Sequence, residues 1–168
     1  RMLVSFKQEL KLINHKIKAH LKAHPKLARQ VQLLRTIKGI GLATAIKIVA
    51  ELLDITHFTN ARAVAASAGV TPAWRQSGTS LNPHPRMSKV GNADFRASLW
   101  WPTCVAMRSN PVVKAFANTL RAKKKPGRLI IVACMHKLLK LAYGVIHTDT
   151  PFDPYWGKPL AQQPVAAT

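Results

Sequence analysis

From Leu3 to about Ala23 the apolar residues Phe6, Leu10, Ile13, Ile17 and Leu21 return at alternating spacings of four and three, with lysines between them. That period lays one apolar stripe along an amphipathic helix with coiled-coil spacing, and Pro25, which lacks the N–H a helix interior needs, interrupts it. The run covers only about three heptads, so packing onto its own domain and pairing with a second copy are both compatible with it. A second helix is expected from roughly Leu27 to Thr36, leading into "IKGIGLATAIKIVAEL". A short helix follows within "THFTNARAVAASAG", capped by Thr59 or Asn60, and then a long loop beginning at Val70. Further helices are expected at about Asp94 to Met107, Val112 to Arg121 and Arg128 to Ile146.

Strand-like alternation is almost absent, so the expected fold is all-α: a helical domain containing a helix-hairpin-helix, preceded by an amphipathic coiled-coil-like helix. The organisation reads as a helical segment over 1–34, a helical body with one long functional loop over 35–150, and a proline-rich tail of low charge over 151–168, extended over the surface or disordered. Arg1 already falls within the first helical pattern, which suggests a fragment of a longer chain. No signal peptide is expected at the N-terminus. Among the expected helices the longest apolar stretch, around Leu99 to Met107, is too short to span a bilayer and contains Pro102, so no membrane partner is expected.

Composition changes the picture from fold to partner. Lys and Arg number 26 against 6 Asp and Glu, a formal net charge of +20, while 48% of residues are hydrophobic. That apolar content is too high for a disordered basic tail, so the charge sits on a folded body that repels itself until a polyanion neutralises it. Nucleic acid is the leading partner. The only cysteines, Cys104 and Cys134, lie in apolar settings and read as reduced thiols of a cytoplasmic protein.

Two stretches carry candidate chemistry. Gly39-Ile40-Gly41 stands between helical segments, and its glycines permit a tight turn after which the next helix presents unbonded N–H groups. A DNA phosphate suits that position, helped by the helix dipole and by Lys38 and Lys47, although an ordinary helical hairpin has the same pattern. In "VTPAWRQSGTSLNPHPRMSKVGNADFR" Ser77 stands beside Gly78, with Arg75, Arg86, Lys89 and Arg96 available to surround a phosphodiester. Serine needs a base or metal to become a nucleophile; His84 is nearby without a convincing carboxylate to orient it, and Ser80 and Ser88 are hardly weaker candidates. A solvated basic loop explains the same residues.

The remaining features are simpler. "RAKKKPGR" forms a short basic loop in which Lys124 and Lys125 face phosphate or water. Trp74, Trp100 and Trp101 suit base stacking, though the helical setting of the last two favours core packing. His20 and His24 lack a third ligand, and the scattered carboxylates do not converge, so no metal site is expected.

Taken in order, "LLRTIKGIGLATA", "FTNARAVAASAGVTPAWRQSG", "RMSKVGNADFR" and "KKKPGRLIIVACMHKLLKLAYGVI" resemble the C-terminal transposase domain of the bridge-RNA-guided insertion-sequence one-ten family, relatives of the Piv invertases. The resemblance runs from about Leu12 to Asp153. It implies an N-terminal RuvC-like domain with acidic metal ligands, a coiled-coil segment and this serine-bearing domain. Matched by motif, Ser77 in Gly69-Val70-Thr71-Pro72…Gln76-Ser77-Gly78 is the residue that attacks DNA to form a phosphoserine intermediate. The missing base is then supplied by magnesium held in the RuvC-like domain of another subunit; this chain carries only the serine half and no cofactor of its own. A guide RNA is the implied second polyanion, and a homo-oligomer through the N-terminal helix is the implied assembly. Gln76 and Pro126 depart from the family pattern without touching the serine. The alternative is a non-catalytic basic nucleic-acid-binding remnant of a transposase.

Overall fold

The structure is a computed structural model that describes residues 2–52, 58–73 and 86–155. Helix α1 (Met2–Ala23) follows the heptad-like stripe, yet none of its residues is buried. Only its far end, at Leu21, packs against the core. Pro25 both ends α1 and opens α2 (Pro25–Arg35), because the first helical position needs no N–H donor. Val31, Leu33 and Leu34 of α2 are buried, so the packed body takes in α2 while α1 stands off it.

Beyond the glycine turn, α3 (Leu42–Leu52) buries Ala45, Ile48, Val49 and Leu52, the face its period predicts. Helix α4 (Ala61–Ser67) begins at Asn60, whose side chain accepts from the backbone N–H of Arg62 and Ala63; of the two expected caps it is Asn60 that acts. A two-residue antiparallel ladder follows, β1 (Pro72–Ala73) on β2 (Arg86–Met87), with Pro72 opposite Met87 and Ala73 opposite Arg86. Helix α5 (Ala93–Ser109) is capped by Asn92 in the same way as α4. Helices α6 (Pro111–Ala122) and α7 (Gly127–His147) complete the all-α fold.

Helix α7 is the centre. It packs against α2, α4, α5 and α6, and buries Ile130, Cys134, Met135, Leu138, Leu139, Ala142, Val145 and Ile146. It corrects the expectation that 99–107 is the longest apolar stretch: among the described residues α7 alone has the length and hydropathy to cross a membrane. Burial of this face among the other helices accounts for that apolar character.

The two central tryptophans of α5 divide. Trp100 packs against the core as expected, whereas Trp101 is 74% exposed, a correction that follows from the helical rotation of about 100° between neighbours. After α7 the chain turns at Asp149, in left-handed conformation (φ 49°), and runs back across the end of α2. There the Phe152 N–H donates to Thr36 Oγ1 at 2.8 Å, and Phe152 packs on the core.

Candidate nucleic-acid interface and the neck of the serine loop

The glycine turn is built against α5. Gly39 has φ 108°, and a Cβ there would stand 2.6 Å from Ala106 Cβ, so both its conformation and its neighbour exclude a side chain. Asn110, fully buried between α5 and α6, locks the same turn. Its Oδ1 accepts from the N–H of Val112 and Val113, capping α6, while its Nδ2 donates to the Lys38 carbonyl at 3.4 Å. Gly41, one residue before α3, has open space where its Cβ would be. Lys38, Gly41, Leu42 and Ala43 are exposed and the first turn of α3 holds no acid, so its unbonded N–H groups face solvent at the positive end of the helix. The predicted trio of Lys38, Gly39 and Gly41 therefore stands together: Gly39 fits the turn to its support, and Lys38 and Gly41 border the open side. Lys47 instead donates from Nζ to the Asp94 carbonyl at 3.3 Å, tying α3 to α5.

The second element is the neck from which residues 74–85 depart. Ser77, Arg75, Ser80 and His84 lie outside the described residues, as does the side chain of Arg86, whose backbone opens β2. The flanks are described in detail. Helix α4 ends in a Schellman turn: Gly69 (φ 67°) donates to the Ala66 carbonyl and Val70 to that of Ala65. A Cβ on Gly69 would collide with the Val90 carbonyl oxygen, and one on Gly91 (φ 89°) with that of Ser67. The two strands of the neck are thus threaded past each other at two glycines. Beside the ladder, the Ser88 N–H donates to Thr71 O at 2.9 Å and the Lys89 N–H to Gly69 O at 3.2 Å. Ser88 Oγ is buried with no hydrogen-bond partner, which makes it a poor candidate for attack on DNA.

Arg96 has a task that its sequence position did not suggest. Its Nη1 donates across the neck to the carbonyls of Ala68 (3.4 Å), Val90 (3.2 Å) and Gly91 (3.0 Å). Lys89 is exposed and left-handed (φ 57°) on the outgoing strand. Lys124 and Lys125 belong to a different turn, between α6 and α7. There the Lys125 N–H reaches Leu120 O and Lys124 (φ 52°) takes the position usually held by glycine, leaving both side chains in solvent.

Neither described titratable group with a shifted pKa is a nucleophile or an anion. Burial pushes the Cys134 thiol up to about 11, so it stays protonated and inert at neutral pH. Burial, followed by the charges of Lys140, Arg62 and Lys137, lowers the pKa of His136 and keeps that imidazole neutral. The rings of His20 and His24 lie against each other at a tilt of 35°, with centroids 4.2 Å apart. Among the described residues no three His, Cys, Asp or Glu side chains converge to hold a metal ion, so no set of magnesium ligands occurs there.

Known proteins are similar to most of this chain. The chain is 32% identical over 142 residues to the pilin gene-inverting protein of Moraxella bovis, a match that takes in 84% of this chain and 44% of that protein. It is 21% identical over 151 residues to the 43.6 kDa protein of insertion element IS110 from Streptomyces coelicolor (90% and 36%). A putative transposase of Sinorhizobium fredii is 37% identical over 112 residues (64% and 28%). The chain thus spans less than half the length of each of these relatives. Residues 31–118, from α2 through the glycine turn and the neck into α6, match the family described as Transposase IS116/IS110/IS902, and the chain belongs to that family.

Proposed function

We propose that this chain is the serine-bearing, DNA-holding part of a site-specific DNA recombinase, the C-terminal domain of a longer transposase, with Ser77 as nucleophile. The observation that carries the reading is the neck: inside the span matched to the family, a two-residue ladder and interlocked glycines hold the two ends of the Ser77 segment side by side. Ends fixed side by side suit a segment that must present a nucleophile in one place.

In the proposed step Ser77 Oγ gives up its proton and forms an ester bond to the scissile phosphorus, while the bond from phosphorus to one deoxyribose oxygen breaks and that oxygen leaves as a hydroxyl. One phosphoester replaces another, so a new DNA hydroxyl can reverse the step and release the serine. Arg75, Arg86 and Lys89 offset the charge on the phosphate oxygens. The α2–turn–α3 unit acts as a helix-hairpin-helix that seats a backbone phosphate on the first N–H groups of α3 beside Lys38, with Lys124 and Lys125 as a separate cationic contact. These contacts position DNA and carry no base information, which leaves target choice to a second reader; a guide RNA is the proposed one. Magnesium belongs to the RuvC-like domain in this proposal, and the chemistry assigned to this chain is that of its own serine and cations. The apolar stripe of α1 is the proposed oligomer contact.

The test uses the full-length transposase with end-labelled DNA, guide RNA and magnesium, followed by denaturing electrophoresis. Label migrating with protein is expected for the wild type and is lost in Ser77→Ala, with DNA affinity retained. An adduct that persists in Ser77→Ala refutes the assignment. Tight binding without an adduct in the wild type favours a non-catalytic binding module.

A further inference from the structure

Arg96 stands at the end of the first turn of α5, where a cation faces the positive end of the helix dipole, an unfavourable place unless something compensates. The compensation is visible: one guanidinium nitrogen is shared among three carbonyl oxygens, Ala68 on the incoming side of the neck and Val90 and Gly91 on the outgoing side. Ala68 is the C-cap of α4, so the same charge also meets the negative end of that helix. Nothing else among the described side chains bridges the two sides in this way. The side chain is half-buried, consistent with a group engaged by the protein's own backbone.

From this geometry we infer that Arg96 is a positioning residue, a clamp that fixes the base of the Ser77 segment by holding Ala68 to Val90 and Gly91, rather than a contact to DNA phosphate. The inference rests on the proposed role of Ser77. A loop whose ends are pinned loses most of the conformational freedom that would otherwise dilute the productive arrangement, and a misplacement of about 1 Å can cost about a hundredfold in rate. The interlocked Gly69 and Gly91 make the fit close enough for one shared nitrogen to reach all three acceptors.

The decisive variant is Arg96→Lys, which keeps the charge but is too short to reach all three carbonyls. Amide hydrogen exchange on the full-length protein reads the neck directly. The Ser88 and Lys89 N–H groups, which bond across it, should exchange on the order of tenfold faster, while the amides of α7 keep their protection. In single-turnover reactions at saturating DNA, adduct formation should slow by about tenfold or more, with the DNA dissociation constant and its salt dependence unchanged. Gly69→Ala disturbs the same neck without altering charge and should give the same pair of results, the double variant being no slower than the slower single one. Unchanged exchange at Ser88 and Lys89 overturns the clamp. So does a loss of DNA affinity with a log–log salt slope shallower by about 1, the signature of a lost phosphate contact. If the wild type forms no adduct, or Ser77→Ala still does, the serine reading falls and the exchange result alone decides the clamp.

Discussion

Asn110 shows how much one side chain can organise. It is fully buried, caps α6 through Oδ1 and holds the Lys38 carbonyl through Nδ2. Replacing it with alanine removes the cap and leaves buried backbone groups without partners, so Asn110→Ala should cost about 2–3 kcal/mol in denaturant unfolding. Asn110→Ser keeps an acceptor for the cap and loses the donor to Lys38 without burying a charge, and should cost less. If the two variants are equally stable, the cap contributes nothing and the whole cost belongs to the bond to Lys38. The cap half of this role is legible in "SNPVV", since asparagine before proline and a helical run is an N-terminal signal. The other half joins positions separated by 72 residues and has no local signature. Arg96 is similar: the sequence displays a cation in a basic stretch, and only the folded neck supplies the three carbonyls that occupy it.

At the scale of elements, the helices were legible because apolar residues return at helical period along them, on a face that α2 to α7 bury and α1 leaves exposed, and most begin at asparagine or proline. The neck was not: its two-residue ladder is too short for alternation, and its glycines matter through neighbours more than twenty positions away along the chain. The turn between α6 and α7 offers a test of element design against function. Lys124 occupies the left-handed position of a Schellman turn, where glycine carries no steric penalty. Lys124→Gly should therefore raise stability by about 0.5–1 kcal/mol, read as a higher melting temperature, while weakening DNA binding by the loss of one exposed cation. A variant that is more stable and binds DNA as before would remove Lys124 from the proposed interface.

At the scale of the molecule, two surfaces must be reconciled with a net charge of +20. The cationic surface suits a polyanion, and its binding must weaken as salt rises. The stripe of α1 is apolar: Phe6, Leu10 and Ile13 are each more than half exposed, and the stripe continues into a groove of about 540 Å³ that Ile17 and Leu21 line together with Leu27, Val31, Ile46 and Val49. A helix standing off its own body with no buried residue gains little from packing, and most helical stability comes from packing. In the proposed assembly, association through this stripe supplies it. Lysines 7, 11, 16, 18 and 22 flank the stripe against the lone Glu9, so like charges oppose that association and salt should promote it. The two surfaces are thus expected to respond to salt in opposite directions. Sedimentation equilibrium should show the chain self-associating more strongly at about 0.5 M salt, where the Debye length is only a few ångströms, than at low salt. Leu10→Asp combined with Ile13→Asp should return it to monomer and reduce helical circular dichroism by the share that α1 contributes, without altering the core. A chain that stays monomeric at every salt concentration while keeping its full helix content would mean that α1 stands without a second copy, and that its stripe is covered by something other than this chain.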